Sequence, residues 1–183
     1  MIVISDTTPL NYLVLIEQQE LLVQLFNRVI IPQGVWKELQ AEGTPESVRT
    51  WVDNKPDWLV VKQANFPADS ALAALGHGEQ EAILLAQDLN ADLLLMDDKD
   101  GRAEAARRNL IVVGTLGVLD AAAKRGLLNL PEALARLQRT SFRASEELIR
   151  SLLEQDAERK LRQRFDEILK KVPNVEPDEP DRL

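Results

Sequence analysis

At 183 residues and 20.6 kDa, with 45% hydrophobic residues, the chain has the size of one domain with room for a helical extension. It contains no cysteine, which excludes disulfides, thiolate zinc sites and cysteine nucleophiles and suits a reducing cytoplasm, the expected location. No apolar run reaches the roughly 18 to 20 residues that span a bilayer, the start MIVISDTTPL lacks the basic region of a signal peptide, and a formal charge of −8 does not by itself mark a nucleic-acid binder.

In chain order, Met1 to Ser5 is apolar on both faces, as a strand inside a parallel sheet would be, and Asp6 closes it. Thr8 reads as a helix cap with Pro9 at the first position, ahead of the stripe Leu10, Leu13, Val14 and Ile16. A second helix is expected over Glu20–Asn27, a strand over Arg28–Ile31, and a helix over Gln33–Glu42. Residues 43–57, with Pro45, Pro56 and an Asn-Lys-Pro turn, read as irregular or mixed. Strand-like Trp58–Lys62 follows, then a helix over Glu79–Leu89 behind the glycines that bracket His77. Asp92–Met96 gives another buried strand, ending at Asp97-Asp98-Lys99-Asp100. Helix Arg102–Asn109, strand Leu110–Val113 and helix Leu116–Lys124 follow, the last stopping at Gly126. Strands alternating with helices at this spacing argue for an α/β fold with a parallel sheet covered on both faces. From Pro131 the pattern is helical only. Residues 136–171 carry ten basic against seven acidic side chains, with Leu148, Leu152, Leu161, Phe165, Ile168 and Val172 at helical spacings. That helix either packs its stripe on its own domain or a second subunit, or offers a basic face to RNA phosphates.

The chemistry lies in the acids. Ligands of open parallel sheets bind beyond the carboxyl ends of the strands, where Asp6 and Asp97 both fall. Like charges on neighbouring strands repel unless a cation stands between them. Glu38 lies at the margin of the apolar face of its helix, and Glu79 opens the helix GEQEAILLA, where an acid also suits the helix dipole. Glu81 stands about 200° round that helix from Glu79, so both cannot reach one ion from one face. Which of the two glutamates ligates, and whether Asp97 or Asp98 does so directly, stays open. Asp100 reads as a solvated turn residue or a helix N-cap.

ISDTTPL at 4–10, IPQGVWKEL at 31–39, GEQEAILLA at 78–86, LLLMDDKDGR at 93–102 and VVGTLGVL at 112–119 together resemble the PIN-domain ribonucleases, more narrowly VapC-type toxins and a related stand-alone PIN branch. The resemblance implies a three-layer α/β/α sandwich over residues 1–130; the helical pattern then predicts an extension at 131–172, and three prolines among acids predict a disordered tail at 173–183. The resemblance also implies an acidic quartet of Asp6, Glu38, Glu79 and Asp97, with Asp98 beside it as a further metal residue and Thr8 as a supporting hydroxyl. The implied activity is a metal-dependent endoribonuclease, the toxin of a toxin–antitoxin pair, acting on RNA, held in check by a small antitoxin protein and forming a homodimer. Two features depart from the VapC pattern: the third acid is Glu79 where aspartate is usual, and the helical extension exceeds the minimal domain.

Carboxylate oxygens with one histidine and no thiol favour Mg²⁺ or Mn²⁺ over zinc or copper. A Ser–His site would have to run through His77 and has no Gly-x-Ser-x-Gly, and a phosphate-binding loop has no Gly-Lys-Ser/Thr. An aspartyl-nucleophile phosphotransferase would want an aspartate where Thr8 stands. The rivals are a degenerate PIN-fold binding or assembly module and a DNA or flap nuclease with the same metal site.

Overall fold

The computed structural model describes residues 1–63 and 66–171; the expected tail at 173–183, and Val172, lie outside the described residues. Strands β1 (Val3–Ser5), β2 (Val29–Pro32), β3 (Leu59–Lys62), β4 (Leu93–Leu95) and β5 (Val112–Val113) form one parallel sheet in the order β3-β2-β1-β4-β5. Ile4 pairs with Ile30 on one side, and Ser5 with Leu95 on the other. The chain therefore builds outward from β1 to β3, then crosses back to start again at β4. The point where strand order reverses lies between β1 and β4.

Around the sheet run α1 (Thr7–Leu15), α2 (Leu21–Phe26), α3 (Gln33–Leu39), α4 (Glu46–Asp53), α5 (His77–Asp88), α6 (Lys99–Arg107), α7 (Thr115–Lys124), α8 (Leu130–Leu137) and α9 (Glu146–Leu169). Side chains alternate faces along a strand, so Ile4, Ile30 and Leu94 enter the core shared with Ala82, Ile83, Ala86 and Ala105 of α5 and α6. Their neighbours Val3, Val29, Ile31 and Leu95 are fully buried as well, which leaves neither face wet. The α/β architecture is as expected, and apolar runs without alternation are its signature in sequence.

Two local expectations are corrected. Helix α1 begins at Thr7 with Asp6 as its N-cap residue, placing Pro9 in the third helical position. Pro9 is harmless there because first-turn N–H groups have no partner within the helix. Residues 46–53, within the stretch read as irregular or mixed, are a helix: Val48 and Val52 form a buried i, i+4 pair, and Pro45 and Pro56 delimit the helix without interrupting it. The chain falls into two compact units, Met1–Arg143 and Ala144–Leu183. The first runs past residue 130 because α8 buries Leu130, Ala133, Leu134 and Leu137 and packs on α7. No helix among the described residues is long and apolar enough to cross a membrane.

Candidate functional site

Asp6 is fixed by the sheet. Its N–H donates to the Leu95 carbonyl at 2.9 Å, which carries the β1–β4 ladder one residue past Ser5. The residue is only 1% exposed, and among the described residues its Oδ1 has no hydrogen-bond partner. Burial pushes the carboxyl pKa up to about 7; the N–H groups of Thr7 and Thr8 oppose the rise, and the negative charges of Glu79 and Glu38 add to it. A carboxylate stripped of water and facing other carboxylates is held in an unfavourable state that a cation would relieve.

Glu38 reaches this neighbourhood from the second turn of α3. The Thr7 hydroxyl donates to its Oε2, and the Gly78 N–H donates to its Oε1 at 2.8 Å. Gly78 is glycine for lack of room: a Cβ there would lie 2.5 Å from Glu38 Oε2 and 2.6 Å from Oε1. The supporting hydroxyl thus comes from Thr7, whereas Thr8 contributes its backbone N–H beside Asp6.

Glu79, in the first turn of α5, folds back to accept the Gly76 N–H at 3.0 Å. Burial raises its pKa against that hydrogen bond, and the charges of Asp98, Glu38 and Asp100 raise it further. Glu81 has a different task. Its Oε2 accepts the Gly34 N–H at 2.6 Å at the start of α3, and its Oε1 lies 3.5 Å from Nδ1 of His77, the first residue of α5. Glu81→Ala should therefore remove a helix-end acceptor, destabilising by about 1 kcal/mol and lowering Tm by about 2–4 °C, with cleavage held within a few-fold. Thermal unfolding together with a cleavage assay checks this, and a large loss of activity at unchanged stability would return Glu81 to the site.

The adjacent aspartates separate in the same way. Asp97 accepts the Thr115 N–H at 2.8 Å through Oδ1 and the Thr115 hydroxyl at 2.5 Å through Oδ2, tying the end of β4 to the start of α7. Burial raises its pKa, while Thr115 and the charge of Arg102 pull it down. Gly114 leaves space for it, since a Cβ at that position would lie 2.5 Å from Asp97 Oδ1. Asp98 is the N-cap of α6, accepting the Gly101 N–H at 2.8 Å through Oδ1; Asp100, read as a solvated turn residue or a helix N-cap, lies in the first helical turn. The charge of Asp98 is felt at Glu79. Electrostatically, Asp6, Glu38, Glu79, Asp98 and Asp100 form one linked group, and Asp97 ties the end of β4 to α7 beside it.

Among the described residues, no three Asp, Glu or His side chains stand close enough to hold an ion as they lie. The chemistry of the donors nevertheless fits a hard divalent cation: all are carboxylates, and the buried Oδ1 of Asp6 has no other partner. Sequence reading missed Thr7, Gly78 and Thr115. Thr7 was hidden by the assignment of the hydroxyl to Thr8, and the signals for the other two are the glycine directly before Glu79 and the threonine that opens the helix after Gly114.

A family model described as PIN domain matches residues 2–158. Among solved structures, the chain is similar to a PilT N-terminus domain protein from the hyperthermophilic archaeon Sulfolobus solfataricus P2, at 18% identity and a TM-score of 0.46, over 79% of this chain and 100% of that one. No curated protein sequence is similar enough to count as a match.

Proposed function

The chain belongs to the PIN-domain family, and from that premise we propose that it is a divalent-metal-dependent endoribonuclease, the toxin of a toxin–antitoxin pair. The family brings nuclease-type activity and divalent-metal use in general. The observation that carries the reading here is Asp6, buried with an unpartnered Oδ1 in the field of Glu38 and Glu79 at the strand-order reversal. Mg²⁺ or Mn²⁺ would be held by Asp6, Glu79 and Asp98, with Glu38 close by. Bound there, the ion supplies a water of lowered pKa and charge to offset the scissile phosphate. Glu38 is oriented by Thr7 and Gly78, and Asp97 positions the start of α7 through Thr115. RNA as substrate rests on the resemblance of the five motifs to PIN ribonucleases, as do the small acting antitoxin and the homodimer.

Matched RNA and DNA oligonucleotides, with and without Mn²⁺, test the reading; cleavage of DNA alone, or cleavage that survives chelation, would overturn it. Within it, Asp98→Asn should lower cleavage more than Asp97→Asn, and Asp97→Asn should lower stability more, by about 1–3 kcal/mol, because Thr115 loses a charged acceptor. The reverse ranking, from kinetics and denaturant unfolding of both variants, would make Asp97 the ligand. A second reading, a binding module with a degenerate site, is favoured by one fact: Glu38, Glu79 and Asp97 each already hold a backbone N–H. Calorimetric titration with Mn²⁺ separates the two, since a working site binds the ion and loses it in Asp6→Asn.

A further inference from the structure

We propose that the C-terminal half of α9 is a docking face for an acidic amphipathic helix of a second protein. Leu161, Phe165 and Ile168 are 71%, 58% and 53% exposed, and Leu169 beside them is exposed too. Spacings of four and three residues place the first three on one seam, the d-a-d positions of a heptad. Large apolar side chains are rarely left in a continuous exposed row on a helix unless something covers them. Arg162 and Arg164 flank the seam at e and g, Asp166 and Glu167 lie on the far side, and Glu158 ends the apolar stripe one turn earlier. The helix is apolar along the seam and basic at its edges.

The flanks select the occupant. In a parallel self-pair, Arg162 would face Ala157 and Arg164 would face Leu169 of the other copy, and an antiparallel self-pair brings the two Arg164 residues together. Neither arrangement gives an arginine a carboxylate. RNA would satisfy the arginines yet leave the apolar row wet. A helix with apolar a and d positions and glutamates at e and g satisfies both features at once. This surface is independent of the nuclease reading, because none of its residues belongs to the carboxylate site.

The probe is a labelled synthetic peptide of about three heptads, Leu at a and d and Glu at e and g, titrated with the full chain by fluorescence anisotropy. Binding should weaken with salt and fall at least about tenfold in Phe165→Ser and in the double variant Arg162→Glu/Arg164→Glu, with metal-dependent cleavage unchanged. The double variant should in turn prefer a Lys-flanked version of the peptide, a gain that misfolding cannot produce. Three outcomes would overturn the proposal. They are equal affinity of the native chain for both peptides, a native dimer in sedimentation that Phe165→Ser dissolves without any peptide binding, and loss of RNA-oligonucleotide binding in the double variant without any peptide binding.

Discussion

Replacing Asp6 by Asn is expected to lower metal-dependent cleavage by about 100-fold or more while making the metal-free chain more stable above pH 7. The two effects share a cause. Burial holds the Asp6 carboxyl at a pKa of about 7 in the folded state, against 3.8 for the unperturbed group. The folded chain therefore keeps a proton that the unfolded chain releases. Stability drawn from that difference is fully present below pH 3.8 and is lost as pH rises to about 7. At about 1.4 kcal/mol per pKa unit the loss amounts to at most about 4 kcal/mol. Urea unfolding of the metal-free native chain should thus show stability falling between pH 5 and pH 8, and Asp6→Asn should flatten the fall. Mg²⁺ should raise Tm more at pH 8 than at pH 5.5, because only the ionised carboxylate attracts it. A variant as pH-dependent as the native chain would show that Asp6 is not the strained group.

Gly78→Ala is the second informative change, and its expected signature is activity lost without stability. Glycine inside a helix is ordinarily worse than alanine by about 1 kcal/mol, so the substitution should help the fold. Here the new methyl would land 2.5 Å from Glu38 Oε2. The obstacle is the tip of a flexible side chain, which swings aside and gives up the Gly78 N–H and the Thr7 hydroxyl. The propensity gain and the lost hydrogen bonds roughly offset, leaving stability within about 1 kcal/mol of native. On the proposed reading cleavage needs the Glu38 carboxylate in place, and it should fall about tenfold or more. Steady-state kinetics beside denaturant unfolding reads both. Full activity in Gly78→Ala would remove Glu38 from the working site.

The sheet and the strand-end acids were legible because their signals are local. MIVIS and DLLLM are apolar without alternation, which only a strand covered on both faces tolerates, and an acid directly after such a run sits at the sheet's carboxyl edge. The choice between neighbouring acids was not legible, since each depends on a partner far along the chain. Glu81 accepts from Gly34, which lies on α3, and Asp97 from Thr115, which opens α7. No pattern within either motif reports those contacts. Helix α4 was obscured for another reason: Pro45 and Pro56 look like breakers, and only the i, i+4 pair Val48 and Val52 shows a helix between them.

The β1–β4 pairing, Ser5 against Leu95, also bears on when the carboxylate cluster can assemble during synthesis. Asp6 is made well before Leu95, whose carbonyl its N–H bonds, because β2, β3 and helices α1 to α5 all lie between β1 and β4 in the chain. A parallel pair so distant in sequence closes late, because loop entropy is lost before any contact compensates for it. Until β4 is in place, β1 has only β2 beside it, and the Asp6 N–H lacks the Leu95 carbonyl. On the proposed reading, any truncation upstream of β4 should therefore be catalytically silent whatever carboxylates it retained.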